Sequence, residues 1–473
     1  GELGVALVTA GVGLGNAVGP LYCALSSETP VLLLSGDSPI GQDGQGAFQE
    51  MDQVAMTRAV TRYSARPTEL AALESTLARA IDTAQGPVAG PAHLALPADL
   101  LEQRRAEPLV QSLAERTDVP RPSEAAVEAC RRQLSDAARP LILLGPALNP
   151  TRQPGLGARL QAATGAAVAA VESPRGLRDP QYRDLGAAVS EADCVLALGK
   201  RCDFSLGFGQ RSQHACRWTL VHADPAALAQ AEQNLAGRPV QGVRANPLAF
   251  ALALATTGPA DGQHAWRARC STWLAVPSLP APTKAGDALH PIELCTTVQH
   301  AIANATDPIV LIDGGEFGQW AQALCHAPRR VINGMAGSIG GAIPAAIAAS
   351  LADPAADVLV LMGDGSAGFH FMELDTAVRV GARFTLVIGN DRRWNAEHQI
   401  QLRNYGPHRS IGCELGDADY AAAARSMGAE GQVVSTGAAL TKALQASRKG
   451  VLVIDAQITS HAAPAPAPAP APA

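Results

Sequence analysis

Short, unbroken runs of apolar residues recur along this chain, and between them apolar positions return every three or four residues. Runs of that length bounded by Gly, Pro or Asp read as strands buried on both faces of a parallel sheet. The amphipathic stretches between them read as crossover helices. In the first block the strands fall at 5–9, 31–35 and 93–95, with helices from about Asn16 and Glu69. Val119-Pro120-Arg121-Pro122 then breaks the pattern, and Ser123 followed by Ala126 opens a capped helix. A second block places strands at 140–144, 167–171, 194–198 and 219–222; a third places them at 309–312, 358–362, 384–388 and 451–454. Pro, Gly and Ala enrichment at 256–262 and 277–284 marks linkers. The pattern predicts an α/β protein of three doubly wound parallel-sheet domains, spanning 1–118, 119–262 and 288–460. The Ala-Pro repeat at 461–473 predicts a disordered, polyproline-like tail.

Composition narrows the function classes. At 473 residues the length alone suggests about three domains, and a hydrophobic content of 47% is ample for their cores. A net charge of −6 offers no basic surface for nucleic acid. No apolar stretch reaches the ~18 residues of a membrane span without a charge or a breaker. The nine cysteines show no CxxC spacing, so they read as buried apolar residues in a reducing compartment, and a cytoplasmic location is expected. The chain opens at Gly1 without Met and runs almost directly into a buried strand, which leads us to expect upstream residues beyond those given.

The densest chemistry lies in the third block. Val358-Leu359-Val360-Leu361-Met362 leads into Gly363-Asp364-Gly365-Ser366, and Phe384-Thr385-Leu386-Val387-Ile388 leads into Asn390-Asp391. Adjacent parallel strands would bring Asp364 and Asn390-Asp391 together at their C-terminal ends, where open α/β sheets bind ligands. A carboxylate, a second oxygen ligand and glycines that admit close backbone approach suit a Mg²⁺-diphosphate group. The alternatives are a glycine turn with a solvated Asp, and Asn390-Asp391 as a cap for the next helix. Upstream, Asp313-Gly314-Gly315-Glu316-Phe317-Gly318 ends a strand and opens a helix, which is an anion-receptive geometry.

The segment 347–366, with Pro354 in its middle, resembles the signature of the thiamine-diphosphate enzymes, in the branch of acetolactate synthase and benzoylformate decarboxylase. The resemblance implies pyrimidine-binding, middle and diphosphate-binding domains. It implies thiamine diphosphate and Mg²⁺ as cofactors, with Asp364, Asp391 and the Arg393 carbonyl as metal ligands. Asp391 departs from the family's usual Asn. Gly314, Gly315, Glu316 and Phe317 would face the diphosphate with Gly365 and Ser366. Gly337-Ser338-Ile339-Gly340-Gly341 is similar to the loop whose bulky residue, here Ile339, holds the two cofactor rings folded together. In the first domain, Gly11-Val12-Gly13-Leu14-Gly15-Asn16 resembles a turn that packs Asn16 toward a partner subunit's cofactor. Phe48 and Gln49 in Ala47-Phe48-Gln49-Glu50 would line the substrate side, or serve only as a helix start. The family's catalytic Glu would lie upstream of Gly1, with roughly 60 residues, about two βα units, preceding the chain.

Other departures bear on the substrate. Ile400 stands where the family has a substrate-selecting Trp, Ser205 where it has an Arg, and Ala98 where it has a Lys. Loops at 145–147, 172–176 and 199–203 match those that bind FAD in acetolactate synthases, with Asp224 as a candidate ribose contact. The segment between Arg175 and Glu191 is too short for the family's flavin loop, so FAD is possible but not favoured, and a vestigial nucleotide pocket is expected. In the cluster from Arg392 to Gln399, His398 or Glu397 could donate a proton or contact an anion, or the cluster could be a solvated helix face. The resemblance therefore implies decarboxylation or carboligation of a 2-keto acid or related carbonyl compound, in a homodimer or homotetramer. The alternatives are a 2-hydroxyacyl-CoA or hydroxy-ketone lyase on the same scaffold, and a non-catalytic thiamine-diphosphate-binding homologue.

Overall fold

The structure, a computed structural model, describes residues 2–104, 121–256, 264–277, 279, 288–446 and 450–464. The expected breaks at 119–122, 256–262 and 277–284, and the tail at 461–473, fall largely outside the described residues. Contacts divide the chain into two compact units. One comprises Gly1–Glu172, Ala192–Gln263 and Gly334–Ala336, and the other Ser173–Glu191, His264–Asn333 and Gly337–Ala473.

The first unit carries two parallel sheets. In one, β1 (Gly4–Val8), β2 (Val31–Asp37), β3 (Tyr63–Ala65) and β4 (Pro91–Pro97) lie in the order β1-β2-β4-β3. In the other, β5 (Pro140–Leu144), β6 (Ala167–Ala170), β7 (Cys194–Leu198), β8 (Arg217–His222) and β9 (Val240–Arg244) lie in the order β6-β5-β7-β8-β9. Ser123 caps the helix Glu124–Asp136 as its sequence predicts, accepting from the Ala126 N–H. The helix expected from about Asn16 starts earlier, at Val12. Gly11 makes the turn with φ of 57°, so the glycines after it fall inside the helix. The carboxylate of Asp224, the candidate ribose contact, caps the helix Pro225–Asn234 at the Ala226 N–H, 2.9 Å away, and pairs with Arg201 at 2.8 Å.

The second unit is built on one six-stranded parallel sheet. It contains β10 (Pro308–Ile312), β11 (Arg329–Ile332), β12 (Asp357–Gly363), β13 (Thr385–Asn390), β14 (Glu430–Val434) and β15 (Leu452–Gln457), in the order β11-β10-β12-β13-β15-β14. Alternate residues of its central strands enter two separate cores. Val310, Leu359, Leu361, Val387 and Ile454 pack on one face; Leu311, Val358, Val360, Leu386 and Val453 pack on the other. Both faces are covered, which is why these strands read as continuous apolar runs.

All fifteen strands of the described residues pair in parallel, and every strand expected from the sequence is present. The four unanticipated strands, β3, β9, β11 and β14, all lie at sheet edges. Eight of the nine cysteines are buried, as expected of apolar residues. No helix among the described residues is long and apolar enough to cross a membrane.

Candidate active site

In the second unit, β11 lies on one side of β10 and β12 on the other, so the chain reverses its direction of travel across the sheet between β10 and β12. Such a switch point leaves a crevice beyond the strand C-termini. A cavity of about 290 Å³ opens there. The parallel register sets Gly363 at the end of β12 against Gly389 in β13, which brings the following Asp364 and Asp391 to one edge of the cavity.

Asp364 is buried, and its carboxylate accepts the Arg393 N–H at 3.2 Å. Burial pushes its pKa up to about 6. Asp391 rises further, to about 7, first through burial and then through repulsion from Asp364. The two carboxylates are therefore drawn together at a cost that a bound cation would relieve. Asn390 does not cap the helix Asn395–Tyr405, whose N-cap, Trp394, makes no side-chain cap bond. Its amide instead turns inward and donates to Asp455 at 3.0 Å.

Opposite the carboxylates, the helix Gly315–Leu324 begins without a side-chain cap, leaving its first N–H groups for an anion. Gly315 holds φ at 79°, and a Cβ on Gly314 would meet Ile339 Cγ2 at 2.7 Å, so only glycines let this turn and Ile339 share the cavity wall. Asp313 organises the wall from behind. Its carboxylate accepts the Gly314, Gly340 and Ala342 N–H groups at 2.7, 2.9 and 3.0 Å, tying the loop that carries Ile339 to the end of β10. Asp313 in this bracing role was missed from sequence, although an acceptor-only side chain between a strand and two glycines was the available signal.

The cavity brings together most of the expected residues: Gly314, Gly315, Glu316, Phe317, Gly337, Ile339, Asp364, Gly365, Ser366, Asp391 and Arg393 all line it. His398 does not. It faces Ser410 at 2.9 Å, and burial lowers its pKa; Glu397, one residue earlier, does line the cavity. Asn16, Phe48 and Gln49 belong to the first unit. Phe48 is 87% exposed and Gln49 has φ of 59°, in a turn rather than the start of a helix. Glu50 fixes that turn by accepting the Gly44, Gly46 and Ala47 N–H groups at 2.5, 2.9 and 2.9 Å.

A switch-point cavity that sets paired carboxylates against a glycine-lined helix start defines an α/β protein built to hold an anionic cofactor. Residues 313–456 match the family model of the thiamine pyrophosphate enzyme C-terminal TPP binding domain, and residues 1–56 match that of the N-terminal TPP binding domain. The chain is thus similar to the thiamine pyrophosphate enzymes in both of the segments that carry their cofactor-binding domains. It is 27% identical over 488 aligned positions to human 2-hydroxyacyl-CoA lyase 2, covering 92% of this chain and 76% of the human protein. It is 29% identical over 466 positions to the acetolactate synthase large subunit IlvG of Mycobacterium tuberculosis, covering 93% and 81%. Its fold matches the thiamine diphosphate-dependent 4-hydroxybenzoylformate decarboxylase of Rhodococcus jostii with a TM-score of 0.80, at 21% identity over 97% of this chain and 88% of that one.

The residues present fit thiamine diphosphate and a divalent cation. The helix start offers unshared N–H groups, the glycines leave the room a Cβ would fill, and the donor set is all oxygen.

Proposed function

We propose that this protein uses thiamine diphosphate and Mg²⁺ to act on 2-keto acids, by decarboxylation, carboligation or both. The observation that carries this reading is the pairing of Asp364 and Asp391, two carboxylates raised by burial, Asp391 also by repulsion from Asp364, in the cavity that the uncapped helix start lines. Mg²⁺ takes one or two protein carboxylates and completes its shell with phosphate oxygens and water. Asp364 and Asp391 would hold it, with the Arg393 carbonyl as a third ligand. The N–H groups from Gly315 to Phe317 and those of Gly365 and Ser366 would hold the diphosphate. Ile339 would press the two rings toward each other. The cofactor, when bound, supplies the electron sink for breaking and making bonds beside a carbonyl. Glu397, which lines the cavity, would deliver or accept a proton. A homodimer or homotetramer is the proposed working form, and the scattered, mostly buried cysteines favour the cytoplasm.

A second reading, cleavage of a 2-hydroxyacyl-CoA, is supported by the human relative, which aligns over 92% of this chain. One assay separates the two. The full-length protein, supplied with thiamine diphosphate and Mg²⁺, is offered 2-keto acids with CO₂ release followed, and 2-hydroxyacyl-CoA thioesters with aldehyde release followed. CO₂ from 2-keto acids is expected. Aldehyde without CO₂ would replace this reading with the lyase.

A further inference from the structure

The cavity has a cationic residue whose purpose the cofactor does not explain. Arg175 lies in its wall, on the segment after β6 that belongs to the second unit. That segment is fixed: Ser173 Oγ donates to Gln322 Oε1 at 3.3 Å and accepts the Arg175 N–H at 3.2 Å, and Gln322 donates onward to Asn333 at 3.3 Å. Pro174 packs beside Gly337, where an added Cβ would meet it at 3.5 Å. The backbone is thus held against the cavity while the guanidinium is not: among the described residues, no side-chain hydrogen bond or ion pair engages it. Burial is the main influence on its pKa, which it lowers.

The charged groups around Arg175 are Glu316, Glu397, Arg178 and Arg403. Glu316 is committed elsewhere, accepting the Ala463 N–H at 2.6 Å and the Gln319 amide at 2.9 Å, and Glu397 is exposed. A guanidinium partly withdrawn from water and left without a carboxylate is costly unless something arrives to pair with it. Its planar fork matches a carboxylate or phosphate in two parallel hydrogen bonds.

The anion it suits is one that survives the reaction. A cation gripping the carboxylate that leaves as CO₂ would stabilise the substrate more than the transition state, because negative charge drains from that carboxylate as the bond breaks. We infer that Arg175 binds an oxyanion the substrate keeps: the carboxylate of an acceptor 2-keto acid or, on the lyase reading, a phosphate of a CoA thioester. This rests on the activity proposed above. In the ligation, the donor loses CO₂, its former carbonyl carbon bonds to the acceptor's carbonyl carbon, and the acceptor's oxygen takes a proton. The acceptor carboxylate is untouched throughout, free to stay on Arg175.

The test compares wild type, Arg175→Ala and Arg175→Lys, all loaded with thiamine diphosphate and Mg²⁺. Pyruvate is the donor, with 2-ketobutyrate as anionic acceptor and propionaldehyde as neutral acceptor. Loss of the guanidinium is expected to raise the KM for 2-ketobutyrate at least tenfold, with partial recovery in Arg175→Lys. CO₂ release from pyruvate and ligation to propionaldehyde should stay within twofold. Oxamate, titrated by tryptophan fluorescence without donor, should bind at least tenfold more weakly to Arg175→Ala. With a 2-hydroxyacyl-CoA, a rise in KM confined to the thioester, and absent with a neutral hydroxy-ketone, would assign the oxyanion to phosphate. Equal losses with both acceptors, or lost thiamine diphosphate affinity in Arg175→Ala, would overturn the inference by making Arg175 a cofactor or structural residue. Wild-type CO₂ release without ligation or thioester cleavage would also overturn it while leaving the proposed decarboxylation intact; inactivity of wild type on every substrate would overturn both.

Discussion

The Asn390 amide donates to the Asp455 carboxylate at 3.0 Å, with both residues buried near the ends of β13 and β15. The same carboxylate accepts the Tyr420 N–H at 3.1 Å and the Gln457 amide at 2.8 Å, and the Tyr420 hydroxyl donates to the Asp364 carbonyl at 3.0 Å. The two strand ends that carry Asp364 and Asp391 are therefore braced through one buried side chain that touches neither carboxylate.

Asp455→Ala removes the acceptor from three donors at once. Leaving the Asn390 amide and Tyr420 N–H unpaired in the interior should cost about 1–3 kcal/mol. Outer groups that orient metal ligands typically matter ~10–100-fold in metal affinity, and we expect a loss in that range for Mg²⁺. Thermal unfolding and a Mg²⁺ titration of thiamine diphosphate binding would measure both. Unchanged Mg²⁺ affinity in a destabilised variant would confine Asp455 to the fold.

Asp391 sets a pH dependence whose sign is fixed by its raised pKa, about 7 against an ordinary 3.8. The folded state favours its protonated form, so its stability contribution is complete below about pH 4 and is lost as pH rises through 7. Metal-free protein should weaken across that window, and Mg²⁺ should restore the loss at pH 8. Asp391→Asn removes the repulsion with Asp364. We expect the metal-free variant to exceed wild type at pH 8 by on the order of 1–3 kcal/mol, while needing about tenfold more Mg²⁺ because a ligand charge is gone. Unfolding midpoints at pH 5 and 8, with and without Mg²⁺, provide the check.

How much of this was legible beforehand depended on burial. The central strands announced themselves because both faces are covered, so every position is apolar. Four of the six edge strands did not: β9, for example, reads Val-Gln-Gly-Val-Arg and β14 reads Glu-Gly-Gln-Val-Val, each largely open to solvent and without a continuous apolar run, whereas β1 and β6, also at edges, keep such a run. Asp364 and Asp391 were visible because chemistry and strand end coincide in sequence. Asp313 as a brace, Asp455 and Arg175 were not, since their partners lie far along the chain: Asp455 is 65 residues from Asn390, and Ser173, which anchors Arg175, is 149 from Gln322. His398 shows how little a sequence position says about direction: it follows Asp391 closely along the chain, yet its ring is set toward Ser410 and does not line the cavity.

Ile339 and Gly314 should behave as a coupled pair. Gly314→Ala puts a methyl 2.7 Å from Ile339 Cγ2 and from Asn333 Nδ2, so Ile339 must give way. We expect thiamine diphosphate affinity, followed by tryptophan quenching, to fall about tenfold, within the 1–3 kcal/mol typical of overpacking. Ile339→Ala in the same chain should return part of that affinity by making room, an interaction that independent sites would not show. Strict additivity of the two changes would mean that the clash is absorbed through Asn333 instead.

His93 predicts the opposite pH behaviour in the other unit. Its ring is fully buried, with Nε2 at 2.9 Å from Ser35 Oγ and Nδ1 at 3.0 Å from both Thr57 Oγ1 and Ser64 Oγ. Burial pulls its pKa down to about 4, against a weak upward pull from Asp37. The folded state holds the ring neutral, while the unfolded chain takes up a proton near the ordinary 6.5. The stability His93 contributes is therefore complete above about pH 6.5 and drains away as pH falls toward 4, by at most about 3 kcal/mol. His93→Gln cannot take up that proton. It should be less stable than wild type at pH 7.5, where the hydroxyl network is disturbed, yet lose less between pH 7.5 and 4.5. Hydrogen exchange of the β2 and β4 amides at the two pH values isolates this unit from the opposing trend at Asp391. An unchanged acid slope in His93→Gln would place the acid lability of this unit on other groups.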